Sequence, residues 1–221
     1  MIALSTAYKE ALIGIEIKGK QAFKSLDANC KHSENLLPAI DSLLEEMKVK
    51  LKDNQEYCVI IGPGSFTGLR ISSALVKGFL AGEKKKNILP LTTFDLMAYS
   101  YIKNFSPNEE FACIINALSG KYFICNYDAT GQKIGQEKMI EKGELDKLTI
   151  TTVSLAEEGI GSVAVSPTAE ELLALAKEKF NPSCAISAGE LVPLYIRKSQ
   201  AEDTLEEKEK NKKNYLKSID I

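Results

Sequence analysis

The stretch Gly62-Pro63-Gly64-Ser65-Phe66-Thr67-Gly68-Leu69-Arg70 follows the short apolar run Tyr57 to Ile61 and precedes a helical pattern from about Leu69 to Ala81. Tyr57 to Ile61 is rich in β-formers and reads as a buried strand. The unit is therefore strand, glycine turn, helix, and it fixes the class as α/β. Glycines at Gly62, Gly64 and Gly68 permit positive φ and close backbone approach, Pro63 stiffens the turn, and Thr67 can cap the helix. Such a turn can present backbone N–H groups to an anion, or it can simply let the helix pack tightly. It is not a P-loop, because the lysine of G-x-x-x-x-G-K-[ST] is absent, and it is not G-x-G-x-x-G.

Upstream, Ile2 to Leu4 and Ala11 to Ile17 read as a hairpin turning over Ser5 to Glu10, with a third strand near Gln21 to Leu26. Ser33 to Leu51 is patterned as a helix. Leu36, Ile40, Leu43, Met47 and Leu51 recur at helical spacing, Leu37 and Leu44 widen the stripe, and Ser33 is the expected cap. Downstream, Lys84 to Lys86 form an exposed break, Ile88 to Leu91 a strand and Thr93 to Asn104 a helix. After Pro107 the pattern restarts. Phe111 to Ile115 and Lys121 to Tyr127 are strands around a turn at Ala117 to Gly120. Thr149 to Val153 and Ser162 to Ser166 are weaker strands. Thr168 to Phe180 is an amphipathic helix whose Thr168 and Glu171 form a capping box. Ser199 to Lys217 is dominated by Glu, Lys and Asn and reads as a solvated helix or a disordered end. The expected organisation is a first lobe over 1–104, a second over 105–198 and a charged tail over 199–221.

Composition narrows the function. The 221 residues are 44% hydrophobic, enough for a real core, and 28 basic against 30 acidic residues leave a net charge of -2. That balance argues against a surface that binds RNA throughout, since neutralising the backbone needs clustered Lys and Arg. There is no basic leader and no run approaching a membrane span, so a cytoplasmic protein is expected. Cys30, Cys58, Cys113, Cys125 and Cys184 are an odd set without C-x-x-C spacing, three of them inside strand-like runs, so thiols rather than disulfides are expected. His32 is the single histidine, which cannot form a two-histidine metal site. Just before a helix it reads as a polar surface or capping residue, and no orienting partner for a Cys30–His32 nucleophile is evident.

The nonapeptide at Gly62 is similar to the signature of the TsaB (YeaZ) family. Met1-Ile2-Ala3-Leu4-Ser5-Thr6-Ala7 resembles that family's opening strand and D-T-A turn. His32-Ser33 with Leu37-Pro38, Leu89-Pro90-Leu91-Thr92-Thr93, Ile115-Asn116-Ala117 and Leu194-Tyr195-Ile196-Arg197 resemble its later landmarks. The resemblance is dense before Leu96 and thin between Asp128 and Ala188. It implies a two-lobed fold of the actin, Hsp70 and sugar-kinase type with RNase-H-like lobes. It also implies a non-catalytic paralogue of TsaD, the enzyme that transfers threonylcarbamoyl to a tRNA adenosine.

TsaD carries H-x-x-x-H after the strand that follows its glycine turn. Placed by Leu89-Pro90, those positions are Thr93 and Met97 here, and neither suits a divalent iron or zinc ion. Two carboxylate positions of the family are Ser5 and Asn116, which bring no charge to a magnesium–phosphate site. No cofactor or metal is therefore expected. Ser5, Thr6, Gly62, Gly64, Ser65, Thr67 and Gly68 are at most a vestigial nucleotide or anion loop. The competing readings are a metal-dependent glycoprotease-like hydrolase or an ATP-dependent kinase of the same fold, both disfavoured by these replacements.

The two N-terminal helices look apolar on two sides, with small residues Ala74, Gly78, Ala81 and Gly82 between. One side suits the sheet and the other a partner. The expected interface comprises Leu36, Leu37, Ile40, Leu43, Leu44, Met47, Leu69, Ser73, Ala74, Val76, Lys77, Gly78, Leu80 and Ala81. The resemblance implies the occupants: a TsaD-like protein in a heterodimer, joined by a TsaE-like ATPase, and a second copy of the chain when alone. Contact with tRNA is expected to be only indirect, and contact with membrane absent.

Overall fold

The computed structural model describes residues 1–194 apart from residues 28, 83, 84 and 86. Three expected features lie partly or wholly outside the described residues: the Lys84 to Lys86 break, the segment Tyr195-Ile196-Arg197, and the charged tail. The first half begins with β1 (Ile2–Ser5), β2 (Ala11–Ile17), β3 (Lys20–Leu26) and α1 (His32–Met47). After a short 3-10 turn (Leu51–Asp53) come β4 (Tyr57–Ile60), α2 (Phe66–Phe79), β5 (Ile88–Leu91) and α3 (Thr93–Phe105). The second half holds β6 (Phe111–Asn116), β7 (Lys121–Tyr127), β8 (Lys133–Glu141), the one-turn α4 (Lys142–Leu145), β9 (Thr151–Leu155), β10 (Val163–Val165) and α5 (Ala169–Lys179).

Two five-stranded sheets result, ordered β3-β2-β1-β4-β5 and β10-β9-β6-β7-β8. In each, three strands form an antiparallel meander and two more add in parallel beside its first strand. The topology is thus duplicated without a repeat in the sequence, as the two-lobed reading expects.

The helices do not stay with the half of the chain that encodes them. One face of the first sheet is covered by α1 and α2, through Leu36, Ile40, Leu43, Met47, Val76 and Leu80 against Ile2, Leu4, Ile13 and Ile15. The opposite face is covered by α5, whose Leu172, Leu173 and Ala176 meet Ala3, Leu12, Cys58 and Ile60. Gly14 makes this possible, because a Cβ there would lie 2.8 Å from both the Ala169 carbonyl oxygen and Leu173 Cβ. Conversely, α3 gives Phe94, Met97, Ala98 and Tyr101 to the second sheet, against Phe111, Cys113, Cys125 and Val153.

Several boundaries differ from the sequence reading. Helix α1 is capped at Lys31, so Ser33 is inside it, and it stops at Met47 where Lys48 takes a left-handed conformation. Leu51 therefore belongs to the 3-10 turn. Helix α2 starts at Phe66, with Ser65 rather than Thr67 as its cap: Gly68 N donates to Ser65 Oγ at 3.2 Å. The Thr168–Glu171 capping box forms as expected. Strand β8 has no counterpart in the sequence pattern, because it is an edge strand exposed along most of its length, which gives it no apolar alternation.

Candidate functional site

The glycine turn packs against the β1–β2 turn more tightly than any side chain would allow. A Cβ on Gly68 would lie 1.8 Å from the Thr6 carbonyl oxygen, and one on Gly64 would lie 2.4 Å from that of Ala7. Ser65 N donates to Ala7 O at 2.8 Å, and Thr6 Oγ1 donates to Gly68 O at 2.6 Å. On the other side, Gly62 (φ +121°) gives its carbonyl to Thr93 N at 2.9 Å, and Pro63 gives its own to Thr93 Oγ1 at 2.6 Å. The glycines thus serve contacts between the chain's own backbones. Ser5 and Thr6 are fully buried, and Ser5 Oγ finds no hydrogen-bond partner. Of the loop residues, Gly64, Ser65 and Thr67 are exposed, while Gly62 and Gly68 are buried.

The metal-histidine positions of the resemblance are both inside the protein. Thr93 is fully buried and committed to the glycine turn, and Met97 is fully buried in the cluster between α3 and the second sheet. Beside them, Asp95 ties α3 to that sheet. It accepts from Thr92 N at 2.8 Å, from Thr92 Oγ1 at 2.6 Å and from Tyr127 Oη at 2.9 Å, with Lys133 Nζ at 3.6 Å. Burial pushes the Tyr127 hydroxyl far above the ordinary tyrosine range, and the Asp95 charge adds to the push.

Asn116 ends β6 at the second lobe's turn. Its side chain accepts from Leu118 N at 2.8 Å, and its own N–H donates to both oxygens of Glu158 at 3.2 Å. Burial raises the Glu158 carboxyl, the Asn116 N–H pulls it back, and the Glu157 charge raises it again. Tyr8 packs between the two lobes, and its hydroxyl is buried with no partner. Burial, then the field of Glu158, pushes that hydroxyl well above the usual range. Next to Tyr8 a pocket of about 210 Å³ carries Glu10, Asp27 and Glu157 against Lys9. Such a rim repels polyphosphate.

The expected interface residues fall into two groups. Leu36, Ile40, Leu43, Leu44, Met47, Leu69, Ser73, Val76 and Leu80 are buried in the chain's own interior. Leu37, Ala74, Lys77, Gly78 and Ala81 are exposed, and a Cβ on Gly78 would meet nothing within 4 Å. The wide apolar stripe of α1 is therefore spent on the first sheet, and α1 is not apolar on two sides as its sequence suggests. At the start of α2, the Arg70 guanidinium stacks 3.8 Å from the centre of the Phe66 ring.

All five cysteines are free thiols, and no described helix is long and apolar enough to cross a membrane. Among the described residues no cluster of metal-ligating side chains occurs.

A duplicated α/β sheet with a glycine turn buried against its first hairpin defines a two-lobed protein of the actin and sugar-kinase type. The family model described as "TsaD: tRNA N6-adenosine threonylcarbamoyltransferase" matches residues 26–175, and the chain belongs to that family. Within it the chain falls in the TsaB (YeaZ) branch. It is 22% identical over 89% of its length to the "tRNA threonylcarbamoyladenosine biosynthesis protein TsaB" of Haemophilus influenzae, covering 93% of that protein. To the Escherichia coli protein of the same name it is 24% identical, over 81% of this chain and 86% of the other. Among solved structures, YeaZ from Pseudomonas aeruginosa superposes with a TM-score of 0.71 at 20% identity, over 88% of this chain and 98% of that one.

Proposed function

We propose that this chain is a non-catalytic subunit in the formation of N6-threonylcarbamoyladenosine on tRNA, acting by binding a catalytic TsaD-type partner. The observation that carries the reading is Met97. At the position where the resemblance puts a metal-binding histidine, the chain has a thioether with no exposed surface, packed among Phe94, Phe111 and Cys113. Its neighbour in the same pattern, Thr93, spends its hydroxyl on Pro63 O. A metal site cannot be rebuilt there without opening the core, and His32 is the only histidine in the sequence.

The glycine turn supports the same reading. Its amides at Ser65 and Gly68 are satisfied internally, and Ser5 and Asn116 bring no carboxylate. Nucleotide, if it binds, is held weakly and idly. The relatives carry the name of the biosynthetic route, and the matched family is that of the transferase itself. The first lobe, 1–104, presents α1 and α2 to the partner, with Leu37, Ala74, Lys77, Gly78 and Ala81 as the accessible part of the surface. The second lobe, 105–198, completes the fold. A TsaE-type ATPase joins the pair, the chain pairs with itself when alone, tRNA is met through the partner, and the work is done in the cytoplasm.

The test is reconstitution. The chain alone, incubated with tRNA and a threonylcarbamoyl donor, should form no product, while addition of the same organism's TsaD-type protein and ATPase should give product that depends on the chain. Gly78→Leu places a branched side chain on an open helix surface. It should leave the protein folded, with a melting temperature no lower than the wild type's, and weaken capture of the TsaD-type protein about five- to a hundredfold. Product from the chain alone, or full activity of the mixture without it, would refute the proposal.

A further inference from the structure

A groove of about 530 Å³ opens between α3, α5 and the turn that joins β7 to β8. We propose that it binds a small organic monoanion, an aromatic or branched apolar body carrying a single acidic head such as a carboxylate. None of its lining residues belongs to α1, α2 or the glycine turn, so it is a different site from the partner surface proposed above.

The walls of the groove are fixed by the fold itself. Asp128 Oδ1 accepts from Thr130 N at 2.9 Å, Thr130 Oγ1 at 2.7 Å and Gln132 N at 2.9 Å, which locks the turn. Gly131, at φ +84°, lays that turn on α3, because a Cβ there would lie 2.7 Å from Ile102 Cδ1. Helix α3 is tied in turn to α5, where Asn104 Nδ2 donates to Glu171 Oε1 at 3.0 Å. Since α3 packs on the second sheet and α5 on the first, the walls come from both halves of the chain. A ligand entering between them meets a preformed shape and spends little on ordering it. The volume falls in the range of about 300–1,000 Å³ usual for small-molecule sites.

Its chemistry is divided between an apolar floor and a charged rim. Leu91, Ala98, Ile102 and Leu175 line it together with the half-buried ring of Tyr99. The charged lining is Lys103, Lys133 and Lys179 against Asp95 and Glu178, which leaves one positive charge over. Lys133 is already spent, reaching Asp95 at 3.6 Å and pairing with Glu137. Lys103, Lys179 and Glu178 make no ion pair among the described residues. A lysine in the last turn of a helix also offsets the carbonyl end of that helix, yet these two, from helices packed on different sheets, line the same groove. Their ammoniums can hold an acidic head by charge-assisted hydrogen bonds while the floor takes the apolar body. Glu178 opposes a second negative charge on the ligand. Burial first, and then that same Glu178 charge, lifts the Tyr99 hydroxyl above its ordinary range, so it remains a neutral donor beside the floor.

Calorimetric titration of the full chain tests this with three probes that share one body: 2-naphthoate, 2-naphthyl phosphate and 2-naphthylmethanol. Naphthoate should bind once per chain with a Kd of about 0.01–1 mM, and at saturation it should raise the melting temperature. The alcohol, which lacks the acidic head, should bind about tenfold more weakly or not at all. The phosphate, with more than one negative charge near neutral pH, should fall between the two. Lys103→Ala and Lys179→Ala should each weaken naphthoate binding about three- to tenfold. Lys142→Ala removes the same charge from α4, outside the groove, and should leave binding unchanged. All three lysines are exposed, so the ligand-free melts of the variants should stay close to that of the wild type. No binding of naphthoate, an alcohol that binds as tightly, or a phosphate that binds more tightly would overturn the inference. So would unchanged affinity in Lys103→Ala and Lys179→Ala, or an equal loss in Lys142→Ala.

Discussion

Gly68→Ala is the sharpest probe of why the glycine turn is built as it is. The added methyl would sit 1.8 Å from the Thr6 carbonyl oxygen, 3.0 Å from its carbon and 3.3 Å from Ser65 Cβ. The obstacle is backbone on a fully buried turn, so it cannot swing aside as a flexible side chain could. Relief requires β1's turn and α2 to separate, which also breaks the Thr6 Oγ1 to Gly68 O bond of 2.6 Å. Overpacking of this kind costs up to about 3 kcal/mol, and the lost bond about 1 kcal/mol. Alanine returns about 1 kcal/mol of helix propensity. The net loss is about 3 kcal/mol, or about 6–12 °C in melting temperature for a chain of this size. Gly78→Ala in the same helix is the control. Its methyl meets nothing within 4 Å, so only propensity acts and the melting temperature should rise by about 2–4 °C. Thermal melts by circular dichroism compare the pair. Equal effects of the two substitutions, or a Gly68→Ala protein as stable as the wild type, would refute the claim that these glycines exist for backbone contact.

Asp95→Ala should cost about 2–4 kcal/mol in urea unfolding, since it removes the carboxylate half of the α3 capping box and leaves the buried Tyr127 hydroxyl without its acceptor. Glu158→Gln should be at least as stable as the wild type at pH 7. Burial raises the folded-state carboxyl, so the charged form opposes folding, and that penalty fades as pH falls through the raised value. The advantage of glutamine should therefore shrink between pH 7 and the ordinary carboxylate range, and a gap that widened on acidification would contradict this. With a disulfide exchange reagent, exposed Cys184 should react first and half-buried Cys30 more slowly. Cys58, Cys113 and Cys125 should wait for denaturant, because burial hides them and lifts their thiols, that of Cys125 to about 11.

Much of this was legible in the sequence where burial imposes a period. The strands at Ala11 to Ile17, Tyr57 to Ile61 and Lys121 to Tyr127 announce themselves because almost every residue in them is apolar. Lys133 to Glu141 stayed silent because an edge strand in water has no apolar face to repeat. The glycine turn was legible as a turn, but its purpose was not. Whether Gly64 and Gly68 open toward a ligand or toward Thr6 and Ala7 depends on a contact some sixty residues away in the chain, which no local pattern encodes. The stripe of α1 misled for a related reason. Seven apolar residues look too many for one seam, yet the cluster between α1 and the first sheet takes in all but Leu37, with Leu51 reaching it from the 3-10 turn beyond the helix.

The crossing over of helices between the two sheets governs how this chain can come into being. As synthesis proceeds, α1 and α2 can settle on the first sheet as soon as β5 is made, but the sheet's other face waits for Leu172, Leu173 and Ala176. Until α5 emerges, Ala3, Leu12, Cys58 and Ile60 stand open to water or to any passing apolar surface. The two lobes are therefore not two folding units, and a nascent chain holding only the first of them is a natural client for a chaperone.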